Sequence, residues 1–189
     1  MDISLLRQVP LFEGLDDEQL EAIAPVTITR HFDKDQVIIL AEEEGDALFI
    51  ISQGQVKVSI VSEDGREVIL SLLGTGAVFG ELSLLDGKPR SANVVATQNT
   101  ELYMLRRSGF LQLGYKVPQI AVGLLSELAS RLRKTDRKIE GLALLDVTSR
   151  ISETLLQLAE EQGGATQKGV LLKSRPTHQQ IANMSGTTR

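Results

Sequence analysis

From Thr27 to Leu105 the chain is cut into seven short runs rich in β-branched residues: Thr27–Phe32, Val37–Leu40, Leu48–Ile51, Val56–Val61, Val68–Leu72, Asn93–Ala96 and Thr100–Leu105. Gly45, Gly54, Gly65, Gly74, Gly76, Gly80 and Gly87 stand between them. Runs this short suit strands, whose alternate residues point to opposite sides, better than helices. Many short strands joined through glycine turns predict a β-sandwich or jelly roll. Ser52-Gln53-Gly54 and Ser62-Glu63-Asp64-Gly65 have the composition of hairpin turns. Ahead of the strands, residues 4–26 read as short helices, with Asp16-Asp17-Glu18 opening a segment that carries Leu20 and Ile23.

At Pro118 the period changes. Ala121, Leu125, Leu128, Leu132, Thr135, Ile139 and Leu142 recur at alternating steps of four and three, the seam of a helix that pairs with a partner helix. Ile120 and Leu124 form a second line expected to pack onto the barrel, while Glu127, Arg131, Lys134 and Lys138 flank the seam and favour a parallel homodimer. Asp146 is a good N-cap for a further helix holding Ile151, Leu155, Leu156 and Leu158, so the Leu145/Asp146 joint reads as a hinge. That helix is expected to stop near Gly163-Gly164, and Val170–Leu172 reads as a short strand. Thr177 then caps a segment with Ile181, Ala182 and Met184. Ala182 is small where a second helix must cross, and Gly186, four residues on, can adopt positive φ: the spacing of a helix-turn-helix. Thr187 or Thr188 would cap the recognition helix, and Arg189 in its first turn is placed to contact guanine. The sequence ends there, so the DNA-binding part reads as an incomplete winged helix-turn-helix. The expected organisation is α+β: 1–117 a jelly-roll barrel, 118–145 a dimerisation helix, 146–189 a partial DNA-binding domain.

Function is most legible in Phe79-Gly80-Glu81-Leu82-Ser83-Leu84-Leu85-Asp86-Gly87-Lys88-Pro89-Arg90-Ser91-Ala92. A glycine opens a short helical turn, and a Gly/Pro loop then delivers a cation and a hydroxyl, a set that suits an anion. Glu81 would repel a phosphate, but it fits if it accepts a hydrogen bond from a sugar hydroxyl of the same ligand. A phosphate with a ribose hydroxyl nearby is a nucleotide. This string resembles the phosphate-binding cassette of cyclic-nucleotide-binding domains, and more narrowly that of the cyclic-AMP receptor protein / fumarate-nitrate regulator family. Gly80, Glu81, Leu82, Arg90, Ser91 and Ala92 match position for position, and Ser83 lies within the cassette. The resemblance implies that Glu81 holds the ribose 2′-hydroxyl and that Arg90 and Ser91 hold the cyclic phosphate. It also implies that Thr135 and the residue after it meet the purine across the dimer. The family serine after that threonine is here Asp136, an acceptor able to take either adenine N6 protons or guanine N1–H and N2–H protons. The resemblance makes cyclic AMP the expected effector, ahead of cyclic GMP, and the aspartate weakens that preference.

Composition narrows the field further. The chain has no cysteine and two histidines, which excludes thiol redox sensing, Cys-ligated clusters and Cys-containing zinc sites, and no metal is expected. There is no G-x-x-x-x-G-K-[ST] and no H-E-x-x-H, so an enzyme is not expected. Net charge is −5, yet residues 162–189 carry four cations and no acid, leaving an acidic body with a basic end. No signal peptide or membrane span is apparent, so a cytoplasmic protein is expected. The reading that results is a homodimeric, cyclic-nucleotide-responsive regulator that binds double-stranded DNA, with RNA polymerase as the partner the family implies. The alternatives are a cyclic-nucleotide-sensing module acting on a protein partner and a cyclic-GMP-responsive regulator.

Overall fold

A computed structural model describes residues 3–166, 169–172 and 175–187. Two short helices, α1 (Ile3–Leu6) and α2 (Asp17–Glu21), and 3-10 turns at Pro10–Phe12 and Ala24–Val26 precede the strands. Eight strands follow: β1 (Thr27–Phe32), β2 (Val37–Ile39), β3 (Ala47–Gln53), β4 (Gln55–Val61), β5 (Glu67–Gly74), β6 (Val78–Phe79), β7 (Asn93–Ala96) and β8 (Thr100–Arg106). They form two antiparallel four-stranded sheets, ordered β1-β8-β3-β6 and β2-β7-β4-β5, that face each other as a jelly roll.

Strand β3 shows why the roll closes. Its alternate residues Ala47, Phe49 and Ile51 join Val56, Phe79, Val94 and Leu102 between the sheets. Leu48 and Ile50, on its other face, join Leu6, Leu11, Phe12, Leu105 and Phe110 under the flanking helices. A strand buried on both faces reads as one continuous apolar run, as Leu48–Ile51 does. Ser62–Gly65 is the expected hairpin turn between β4 and β5, closed by Gly65 N–H donating to the Ser62 carbonyl. Ser52-Gln53-Gly54 is not a hairpin, because β3 and β4 lie in different sheets and the chain crosses between them at this point.

Helix α3 (Glu81–Asp86) lies between β6 and β7, and α4 (Arg107–Lys116) follows β8. Helix α5 (Gln119–Leu144) leaves the roll as a single 26-residue helix. As expected, Ile120 and Leu124 are buried against the helical side of the roll. Helix α6 (Val147–Gln162) begins at the Asp146 cap, whose carboxylate accepts from Ser149 N–H. That hydrogen bond holds the Asp146 carboxyl below the usual carboxylate range. At Gly163 the helix passes into β9 (Gly163–Thr166), which pairs with β10 (Gly169–Leu172). Helix α7 (His178–Ser185) is capped by Thr177, with Gln180 completing a capping box, and ends at Gly186 with φ +64°. A small third core of Ile69, Leu72, Leu158 and Met184 seats α6 and α7 on β5.

Candidate functional site

Gly80 turns β6 into α3 with φ +79°, and a Cβ there would stand 2.8 Å from Arg90 Nη1 and 3.1 Å from the Ala47 carbonyl. A side chain is therefore excluded twice, by backbone conformation and by space. The Gly87 turn at the end of α3 brings the chain back beside the loop between β2 and β3, where Arg90 exchanges backbone hydrogen bonds with Glu42 and Glu43. The Arg90 guanidinium is buried: Nη1 donates to the Gly80 carbonyl at 2.7 Å and Nη2 to the Ala47 carbonyl at 2.8 Å, with Phe49 beneath. Gly45 permits this, because a Cβ there would lie 2.0 Å from Arg90 Nε. Burial pulls the Arg90 pKa below its ordinary value, and the charges of Asp46 and Glu81 oppose the shift.

Glu81 is also buried, and its two oxygens differ. Oε1 accepts from Arg131 Nη1 at 2.9 Å, and Arg131 is held in turn by Glu127 at 2.9 Å and by the Val78 carbonyl. Among the described residues, Oε2 is the buried side-chain oxygen left with no hydrogen-bond partner. A buried acceptor without a donor is costly, so this atom fits a ligand that brings a hydroxyl or an amine.

Both groups line a cavity of about 780 Å³ between the roll and α5, within the size range of small-molecule sites. Gly80, Glu81, Leu82, Ser83, Arg90, Ser91, Ala92 and Thr135 all border it. Ser83 and Ala92 are buried, and Ser91 is exposed at its edge. Asp136 does not border its own protomer's cavity and is exposed. Thr135 Oγ1 donates to the Arg131 carbonyl at 3.0 Å.

Sequence reasoning missed Arg131 as part of this cavity. The charges Glu127, Arg131, Lys134 and Lys138 were expected beside a helix–helix seam. They turn instead to the roll and α6: Lys134 pairs with Glu161 at 2.8 Å, and Lys138 Nζ donates to the Ile69 carbonyl at 2.9 Å. Burial holds the Lys138 pKa below its ordinary value. The available signal was the four-residue spacing of Glu127, Arg131 and Thr135, which puts all three on one helical face.

Ala121 is exposed, as are Leu125, Leu132, Ile139 and Leu142, each at least half accessible. Leu128 is the exception, packing partly against its own protomer's core. Thr187 follows the left-handed Gly186 and donates its N–H to the Ala182 carbonyl at 3.0 Å. Thr188 and Arg189 lie outside the described residues. No group of three or more potential metal-binding side chains occurs among the described residues, and no described helix is long and apolar enough to cross a membrane.

The cyclic nucleotide-binding domain family model matches residues 29–114. The cyclic AMP receptor protein of Thermus thermophilus is 35% identical over 180 residues, covering 95% of this chain and 80% of that protein. The CRP-like cAMP-activated global transcriptional regulator of Mycobacterium tuberculosis is 31% identical over 187 residues, covering 98% and 83%. Among solved structures, the Thermus thermophilus catabolite activator protein aligns with TM-score 0.67 at 31% identity, covering 95% of this chain and 81% of the other. The c-di-GMP responsive global regulator CLP of Xanthomonas campestris aligns with TM-score 0.79 at 26% identity, covering 92% and 86%.

Proposed function

Because the chain belongs to the cyclic-AMP receptor protein family of transcription regulators, we propose that the cavity between the roll and α5 receives a cyclic nucleotide that governs DNA binding. The observation that carries this reading is the buried, unpartnered Oε2 of Glu81 beside the Arg90 and Ser91 loop. A ribose 2′-hydroxyl supplies the donor that Oε2 lacks, while Arg90 and Ser91 take the cyclic phosphate. Gly80, Leu82, Ser83 and Ala92 shape the turn around it. We assign cyclic AMP ahead of cyclic GMP, with Thr135 meeting the purine from the same protomer and Asp136 meeting it from the second.

The exposed seam of Ala121, Leu125, Leu132, Ile139 and Leu142, with Leu128 at its edge, pairs two copies in this reading. Residues 1–117 then form the sensor, 118–145 the dimerisation helix and 146–189 the DNA-binding part. Thr187, Thr188 and Arg189 begin the helix that enters the major groove of double-stranded DNA. The protein is a non-enzymatic cytoplasmic regulator that works with RNA polymerase. Nucleotide binding favours one of two placements of the DNA-binding parts, by roughly 1–3 kcal/mol.

Calorimetric titration with cyclic AMP, cyclic GMP and cyclic di-GMP tests the assignment. Cyclic AMP is expected to bind tightest. Arg90→Ala should cost roughly 2–5 kcal/mol of that affinity, by removing the charge partner of a desolvated phosphate. Unchanged binding by Arg90→Ala would refute the phosphate assignment.

A further inference from the structure

Lys138 stands apart from the other lysines among the described residues. Lys57 is paired with Glu67 and Lys134 with Glu161, while Lys34, Lys88 and Lys116 are exposed. Lys138 is half-buried, and no carboxylate pairs with it among the described residues. Its Nζ donates instead to two consecutive carbonyls of β5, Ile69 at 2.9 Å and Leu70 at 3.5 Å. An ammonium group has three N–H donors, so one corner of Nζ is left without a protein partner. In the neutral amine that corner holds the lone pair, and both carbonyls still receive a hydrogen. Burial favours this uncharged form. Lys134, one turn back on the same helical face, adds a like charge at a spacing that disfavours two cations.

Lys138 is also reachable. It borders the cavity of about 780 Å³ already described and a second one, of about 470 Å³, between β5, α5, α6 and α7. Leu70, Leu72, Leu142, Leu156 and Met184 give the smaller cavity an apolar lining. Glu153, Glu160 and Glu161 stand on its walls and would repel an anionic acyl donor. The approach therefore suits an electrophile that is small, neutral and apolar, and carbon dioxide has all three properties.

We propose that Lys138 is a carbamylation site, at which carbon dioxide adds to the amine and the carbamate formed opposes an anionic nucleotide in the larger cavity. The nitrogen lone pair forms an N–C bond, one C=O π pair moves onto oxygen, and one N–H proton passes to water. No oxidant, leaving group or cofactor is needed. The product turns the like-charged Lys134 and Lys138 into an oppositely charged pair at the same spacing, which favours it. It also removes one positive charge from the wall of the nucleotide cavity and adds one negative charge there. The effect on nucleotide rests on the functional reading above, whereas the carbon dioxide site does not.

The test exposes the full chain to isotopically labelled bicarbonate and carbon dioxide at fixed pH and ionic strength. Triethyloxonium then ethylates any carbamate irreversibly. Peptide mass spectrometry is expected to find the labelled ethyl carbamate at Lys138 and not at Lys34, Lys88 or Lys116. No adduct at Lys138, or equal adducts on the exposed lysines, would overturn the site. Calorimetry in the same buffers should show cyclic AMP binding about two- to tenfold weaker with carbon dioxide than with a matching chloride salt, the scale of a partly screened charge reversal. Lys138→Arg keeps a cation that never becomes a neutral amine, so its cyclic AMP affinity should not respond to carbon dioxide. An adduct at Lys138 with unchanged cyclic AMP affinity would overturn the opposition to nucleotide, as would equal weakening in Lys138→Arg. If the parent bound no cyclic nucleotide in either buffer, the functional reading would fall, and trapping would still decide the carbon dioxide site.

Discussion

Arg90 and Arg131 place two guanidinium groups on one cavity, but their partners give them different work. Arg90 commits two of its five N–H donors to backbone carbonyls, Gly80 and Ala47, which fixes its position and leaves its charge without a direct carboxylate partner among the described residues. Arg131 is committed to Glu81 and Glu127, so it orients a carboxylate. Arg131→Met should leave Glu81 buried with neither oxygen paired and cost about 1–3 kcal/mol of folding stability. Thermal or denaturant unfolding measures that loss, and adding Glu81→Gln should recover part of it, because the stranded charge is gone. Asp136 is exposed and borders neither of the two cavities described in its own protomer, so its proposed role in ligand choice can be tested separately from stability. Asp136→Ser is expected to shift the ratio of cyclic AMP to cyclic GMP affinity toward cyclic AMP, and an unchanged ratio by calorimetry would mean that Asp136 stays solvated.

At the scale of elements, α5 carries three different faces along its length. Ile120 and Leu124 anchor its first turns in the core, and Glu127, Arg131, Lys134 and Lys138 face the roll and α6. The remaining apolar line is exposed, with Leu125 66% and Leu132 62% accessible. A contiguous exposed apolar line on a helix marks an interaction surface. Leu125→Glu with Leu132→Glu is the clean test, because neither side chain supports the protomer's own core, whereas Leu128 partly does. The double variant should sediment as a monomer, and its unfolding midpoint, unlike that of the parent dimer, should not depend on protein concentration. A stable dimer would move the interface elsewhere.

For the molecule as a whole, α6 and α7 meet the roll through β5, and Glu67 gives that junction a titratable contact. Burial pushes the Glu67 pKa up, but hydrogen bonds from Lys57, Ser59 and Asn183 outweigh it, so the net shift is downward. A depressed folded-state pKa contributes stability that is present above the unfolded value and lost as pH falls through the folded one. The junction is therefore expected to weaken below about pH 4, where glutamates begin to protonate. Unfolding midpoints measured against pH should show this acid slope, and Glu67→Gln should flatten it.

Sequence alone determined the features that are local in the chain. The glycine-punctuated strands, the change of period at Pro118, the Asp146 and Thr177 caps and the Gly80–Ala92 cassette depend on neighbours a few residues apart, where turn geometry, capping and side-chain period act directly. The pairing of Arg131 with Glu81 spans 50 residues, that of Asn183 with Glu67 spans 116, and the crossing of β3 to β4 depends on which sheet each strand joins. Tertiary structure alone decided these. A helix bearing charges on two sides is compatible with several neighbours, and only closure of the roll determined which of those charges turned inward to the cavity and which apolar line was left exposed.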